Sequence, residues 1–534
     1  MRTIPLLVAG VLVACACGRG AAPEAPPAPT PPAPAPQVAT PAAPPAAVPD
    51  KPPVAVATDE QLPEGENIVE EMRAMNSDRF GRPPVKFRKG HVSTRKPPKV
   101  VQTKTGFEVR FASGASVVTP AVHRGKVFVS GGFQSKEFHA FHATTGKPEW
   151  SVNLDDDGPS ASACEDGVCV FNTESCTVFA LDAETGKQKW SWWLGDPLTS
   201  APTIANGRVF TSYPAAGTAD AKKPRPPGAS HALMAIDLES GEILWQQWLD
   251  SDVMSAPVAQ GEFVYVTTFA GAVMKLEQAT GKIRYAIRAK ATSAPVVMFA
   301  ADGRESMFYT RRGAAEADGA EEMIIRADDN DPKTTFRAKQ KKAGYLDDKV
   351  QKSSNYAQQS AASDAANGFG GAEAPAAANA KAASGTVGAG RVASMQAFQG
   401  SRILHLGDRN VNTMGDEVVA TSASDGKTLW SHKLEGDTSR AGGFLGTAPL
   451  AAGTSVLFAT LDGAIVELDP STGVERARYQ VGRPVRSQPV VEGGWIYVGT
   501  EDGRLVAIDT HKKELTGWAM WGGNPARTGI ARKN

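Results

Sequence analysis

The sequence predicts an all-β protein: an eight-bladed β-propeller with four-stranded antiparallel blades, preceded by a signal peptide and a disordered Pro/Ala linker. Three observations carry this. A motif of the form Ala-x-Asp-x-x-Thr-Gly-x-x-x-Trp recurs along the chain, most completely as ALDAETGKQKW at 180–190. Its copies keep a regular period, since His142 to Asp182, Asp237 to Glu277 and Asp469 to Asp509 are each 40 residues apart. Short alternating apolar runs punctuated by turn residues precede the copies, as in APTIANGRVFTSY. Short strands in a period of about forty residues describe propeller blades. Solenoids of β units, the competing repeat architecture, usually have shorter repeats.

The first residues are a positive start (Met1-Arg2) and an apolar run over 4–13, too short to cross a bilayer and therefore read as a secretory signal. Leu12-Val13-Ala14-Cys15 resembles the bacterial lipobox, which implies cleavage after residue 14, lipidation of Cys15 and attachment to the membrane by lipid alone. Residues 15–63 then form a Pro/Ala-rich tether (APPAPTPPAPAP). Such a tract has no core-forming residues and populates polyproline II, reaching on the order of 100 Å at about 3.1 Å per residue. A proline-recognition ligand is the sharper alternative, but the tract lacks a flanking basic pattern. Residues 64–104 are a short helical and extended lead-in, in which Ile68, Met72 and Met75 fall on one helical face and predict a small cap. The propeller occupies 105–534, with a low-complexity insert at about 338–392.

Lys and Arg number 57, as do Asp and Glu, so no global basic field draws in nucleic acid. Secretion implies an oxidising compartment. In ACEDGVC the Asp166-Gly167 pair predicts a two-residue hairpin that sets Cys164 opposite Cys169 in a non-hydrogen-bonded pair. A structural disulfide follows, leaving Cys176 unpaired. The spacing matches no zinc site.

The blades are expected to begin near Val118, Ala161, Ser200, Ser255, Ser293, Ser394, Thr447 and Ser487. Two segments compete for the outermost strand of the last blade: TGFEVRF at 105–111, and the tail GWAMWGGNPARTG. In each motif the Asp and Thr-Gly make a tight turn, with Gly supplying a left-handed conformation. Trp150, Trp190, Trp245 and Trp430, with Gly146, Gly186, Gly241 and Gly426, are accordingly structural docking positions between blades. A phosphate-binding reading of "TGK" fails, because a phosphate loop needs more glycines and a helix N-terminus.

The motif is similar to the PQQ-type propeller repeat, over about 105–515. Ala180, Asp182, Thr185, Gly186 and Trp190 match every position, whereas the GH…WD pairing of WD40 repeats is absent. That family includes quinoprotein alcohol dehydrogenases and non-catalytic outer-membrane assembly lipoproteins of the BamB type. The resemblance implies inter-blade stacking of each Trp. For the dehydrogenase branch it implies PQQ, calcium held by carboxylate and amide oxygens, a catalytic Asp and a vicinal Cys-Cys pair, which this chain lacks. Asp155-Asp156-Asp157 is read as a solvated loop, and no catalytic residues and no metal site are assigned.

Apparent insertions at 214–230, 313–322, 338–392, 409–416 and 435–446 all fall in B–C or D–A connections, with strands lettered A to D from centre to rim. One face is therefore elaborated, as expected of a functional face. In TSRAGGFLGTAP, Arg440, Phe444 and Leu445 are the candidate partner-binding residues. The expectation is a lipid-anchored, non-catalytic scaffold needing no cofactor. It would be a monomer within a complex, in the outer membrane and facing the periplasm, with envelope proteins such as the barrel-assembly machinery as partners. The alternatives are a PQQ- and calcium-dependent quinoprotein dehydrogenase and a surface-exposed binding lipoprotein.

Overall fold

The computed structural model of the protein describes residues 65–85, 90–132, 135–173, 177–194, 200–215, 217–299, 303–316, 319–328, 334–343, 403–437 and 445–530. The signal segment, Cys15, the Pro/Ala tract, Cys176, Arg440, Phe444 and the insert beyond residue 343 lie outside the described residues.

Eight antiparallel sheets form a β-propeller. Blade one consists of Ala121–His123, Lys126–Ser130, Glu137–His142 and Pro148–Leu154, from centre to rim. Blades two to seven follow in the same order over 163–193, 203–249, 258–288, 296–343, 404–433 and 450–480. The eighth takes its inner strands from Val490–Glu492, Trp495–Gly499 and Arg504–Asp509. Its outer strand is Gly106–Arg110, paired antiparallel to Arg504–Asp509. The ring therefore closes by joining both ends of the chain in one sheet, and TGFEVRF supplies the missing strand.

Four of the eight joints between blades are built in the same way by a Trp. In blade two, Asp182 Oδ1 accepts the Thr185 amide at 2.8 Å and the Thr185 hydroxyl at 2.7 Å. The hydroxyl and amide of Thr185 hold this carboxyl below its usual range. Gly186 then turns the chain at φ 70°, and its missing side chain is where the preceding blade docks. A Cβ there would lie 2.7 Å from Trp150, and one on Gly241 would lie 2.6 Å from Trp190. Trp245 and Trp430 cover Gly281 and Gly473 in the same way. Each indole also donates to the carbonyl just after the turn's acid: Trp150 to Ala183 at 3.1 Å, Trp190 to Leu238 at 2.8 Å, Trp245 to Gln278 at 2.8 Å and Trp430 to Pro470 at 2.9 Å.

Where no Trp is available, other residues meet the same demand. At the joint between blades eight and one, Phe107 pairs opposite Ala507 as Trp190 does opposite Ala180, and it packs on Gly146. The acceptor carbonyl of Ala143 is met by the Tyr497 hydroxyl at 2.9 Å. Between blades five and six, Arg326 donates to the carbonyls of Ala423 and Ser424, so the Gly426 turn is met by a guanidinium. The remaining two joints are polar. Lys275 pairs with buried Glu305, which also accepts the Tyr265 hydroxyl at 2.7 Å. Lys512 pairs with buried Glu467 at 2.8 Å, beside the Tyr479 hydroxyl. Burial opposes ionisation of Glu467, yet the bonds from Lys512, Tyr479 and Ser455 hold its carboxyl below the usual range.

The lead-in covers strand edges. Val92–Thr94 pairs with the outer strand of blade one, Val100–Thr103 extends blade eight, and Glu66–Asn67 extends blade four. These additions blunt three edges that would otherwise present unpaired backbone. Helix Val69–Met75 follows, burying Met72 and Met75. The 215–230 connection of blade three packs onto this lead-in, where the Gly81 amide meets Pro224 and the Ala219 amide meets Arg82.

Three boundaries differ from the sequence expectation. The inner strand of blade six is Leu404–His405, later than the expected start near Ser394. Residues 409–414 are its second strand and not an inserted loop, because Asn410 and Val411 pair with His405 and Leu404. The 313–322 segment prolongs the central hairpin of blade five, whose outer strand runs on to Ala343.

The tail does not compete for the outer strand. It runs along the inside of the ring, where Trp518 and Trp521 are fully buried. Trp521 packs among Ala161, Ala201 and Ala256, the alanines that introduce three inner strands. Arg527, with no exposed surface, donates to the carbonyls of Pro202, Trp521 and Ala161. The central channel is thus filled by the chain's own end.

Trp190→Ala is expected to cost about 3–5 kcal/mol, read as a lowered midpoint in chemical denaturation. Phe107→Ala should cost a similar amount by opening the closing blade, and Phe107→Trp should largely restore the midpoint.

Candidate functional site

The face carrying the B–C and D–A connections is organised by a ring of hydroxyls. In four blades a Ser or Thr that precedes the inner strand ties down the end of the neighbouring strand twelve residues on. Ser160 accepts the Asn172 amide at 3.0 Å, Thr447 the Ala459 amide at 3.0 Å, and Ser487 donates to Gly499 at 2.9 Å. Ser200 and Ser212 bond each other at 2.9 Å.

Two buried carboxylates of this face accept hydrogen bonds from hydroxyls of adjoining elements. Asp156 Oδ2 accepts the hydroxyls of Thr173 and Thr177 at 2.7 and 2.6 Å, and Asp156 Oδ1 accepts the Asp157 amide. The Asp155–Asp157 run is therefore a structured turn around one buried acid, not a loop solvated throughout. Asp252 accepts the Ser212 hydroxyl at 2.6 Å and the Val253 amide at 2.8 Å. No group of three potential metal-ligating side chains is found among the described residues.

A groove of about 380 Å³ lies on this face between blades six and seven. Leu434, Leu445 and Leu461 give it an apolar floor, and Lys433, Glu435, Asp462, Glu475 and Arg478 a charged rim. An apolar floor inside a polar rim is the anatomy of a protein-binding surface. Leu445 is only 5% exposed and packs on Leu434 and Gly436. It is a floor residue and not the exposed anchor that its Gly-rich surroundings suggest; its partners there, Arg440 and Phe444, lie outside the described residues.

A Ser-His-Glu chain is present that spacing did not reveal. Ser151 Oγ lies 2.9 Å from His139 Nδ1, and His139 Nε2 lies 3.2 Å from Glu137, which Arg95 also engages at 2.5 Å. His139 has no exposed surface and stacks on Phe111 at 5.2 Å. Burial pushes its pKa down, against the pull of Glu137. Through Arg95, which also bonds Asn153 at 2.8 Å, the three residues fasten the lead-in to blade one.

Comparison with known proteins bears on this geometry. The family model described as "Outer membrane protein assembly factor BamB" matches residues 91–215, 227–403 and 414–522. The chain belongs to this family. Outer membrane protein assembly factor BamB of Shewanella oneidensis is 23% identical over 219 residues, which are 38% of this chain and 52% of that protein. Quinoprotein alcohol dehydrogenase PedH of Pseudomonas putida is 28% identical over 161 residues, 28% of this chain and 24% of that protein. The chain thus matches about half or less of the length of these relatives. The crystal structure of BamB from Moraxella catarrhalis aligns with a TM-score of 0.47 at 15% identity, covering 77% of this chain and 100% of the other. The BamB family match ends at residue 522, so it includes Trp518 and Trp521 but not Arg527.

The disulfide joins Cys164 to Cys169 across the first hairpin of blade two. On the D–A connection after blade three, Asp250 has a partly exposed side chain whose Oδ1 is buried and without a hydrogen-bond partner. Burial raises its pKa to about 6, with Arg288 opposing and Glu71 reinforcing the shift. The folded protein then holds a proton that the unfolded chain has already released. Stability conferred by this group falls as pH rises from about 4 to about 6 and stays lower above. Asp250→Asn should therefore gain stability relative to the parent across that window, measured as the difference in denaturation midpoint at pH 4 and pH 7.

Proposed function

We propose that the protein is a non-catalytic propeller scaffold of the cell envelope that docks partner proteins on its B–C and D–A face, in the assembly of outer-membrane β-barrel proteins. Membership of the BamB family is the observation that carries this reading. The groove between blades six and seven supplies a docking surface of suitable anatomy. Lipidation at Cys15 would hold the ring at the outer membrane on the periplasmic side, with the Pro/Ala tract as tether.

The second reading, a quinoprotein dehydrogenase, is favoured by the similarity to PedH. The residues do not fit a calcium-bound quinone. Asp156 and Asp252 already accept internal hydrogen bonds, Trp521 and Arg527 fill the channel, and the chain has no adjacent cysteine pair beyond its first seventeen residues or within them.

Affinity capture from native envelopes is expected to recover barrel-assembly components, and Leu461→Glu in the groove floor should abolish that recovery while leaving the denaturation midpoint within about 1 kcal/mol. Stoichiometric PQQ binding with calcium, accompanied by alcohol-dependent reduction of an acceptor dye, would replace the scaffold reading with the dehydrogenase.

A further inference from the structure

On the face bearing the A–B turns, the tail meets the inner strands of five of the eight blades through one backbone bond each, and blade two is not among them. In five blades the central residue of the inner strand donates its amide to a tail carbonyl. These bonds run from Val122 to Ala519 (2.6 Å), Ile204 to Pro525 (2.8 Å), Ala259 to Ala526 (2.9 Å), His405 to Gly529 (3.1 Å) and Val491 to Trp518 (2.8 Å). The equivalent residue of blade two is Cys164, opposite Cys169 in the pair once removed from the Asp166-Gly167 turn. Its amide and carbonyl therefore point away from the neighbouring strand, towards the channel. Neither has a backbone partner among the described residues. Between its bonds to Val122 and Ile204 the tail packs Met520 against Cys164 and turns through Gly522 and Gly523, both at positive φ, without a backbone bond to this strand.

A cavity of about 610 Å³ opens at that place, between blades eight, one and two and the tail. Its wall combines Val122, Trp495 and Met520 with three carboxylates, Glu165, Asp166 and Glu492, against a single guanidinium, Arg124. The Nε2 atom of His123, also in the wall, is buried without a hydrogen-bond partner. We propose that this cavity receives an extended, lysine- or arginine-bearing segment of a partner protein, added as a short strand beside Ala163–Glu165. Strand addition satisfies the idle backbone of Cys164 in the manner the tail already satisfies Val122 and Val491. The excess of carboxylates selects the basic side chains, and the apolar wall takes the residue between them. The surface is distinct from the groove between blades six and seven, and neither depends on the other.

The test is calorimetric titration of the full-length protein with a short peptide of alternating valine and lysine. Binding is expected, weakening about tenfold or more in the Glu165→Gln/Asp166→Asn double variant and disappearing when alternate backbone amides of the peptide are N-methylated. Both substitutions keep side-chain shape, and Asn tolerates the left-handed backbone at position 166 (φ 48°). Leu461→Glu should leave the affinity unchanged, which separates this site from the proposed scaffold face. Absence of binding, equal binding by the double variant, or equal binding of a valine–glutamate peptide would each overturn the proposal.

Discussion

A backbone carbonyl at the joint between blades is the group that most of the ring is built around. In six C–D turns the residue after the turn's first polar side chain points its C=O at the preceding blade, and a buried carbonyl without a donor costs about 1–3 kcal/mol. Four blades answer with an indole, one with a tyrosine hydroxyl and one with a guanidinium. The glycine beside it removes the only atom that would keep the aromatic ring away. Turn, glycine and donor therefore form a single device at the joints that carry an indole. The two joints built from Lys and Glu depart from this device, and such pairs trade desolvation against attraction with little net gain. They pack the ring without reproducing the aromatic wedge.

The ring was legible in the sequence because its joints are local. Asp182, Thr185, Gly186 and Trp190 lie within one turn and the start of one strand, so their spacing survives in a linear reading. Closure was harder to read. Phe107 performs the task of a Trp, but its partner strand lies at the other end of the chain and no turn motif precedes it. In blade six, a two-residue inner strand left too little alternation to fix its start, which displaced the second strand into an apparent loop.

The functional surfaces were less legible still, because they depend on what packs against what. Leu445 sits in a Gly-rich stretch that reads as exposed, yet Gly436 makes room for it to fold inwards. Ser151, His139 and Glu137 form a relay only because alternate residues of one strand and a residue of its neighbour share a side of the sheet. The tail carries two tryptophans and a lone arginine without periodicity. Its role appears only when the inner strands display a row of inward-facing amides for it to cross.

Closure by Gly106–Arg110 also has a kinetic side. Glu108 and Arg504 meet across the closing sheet although they are 396 residues apart in sequence. A chain that emerges amino terminus first can pair this strand with Val100–Thr103 but must leave its other edge open until nearly the last blade arrives. Pairings of such long range are slow to form and leave strand edges open in the meantime. The time between synthesis and closure is thus the interval in which that open edge leaves the protein most prone to aggregate.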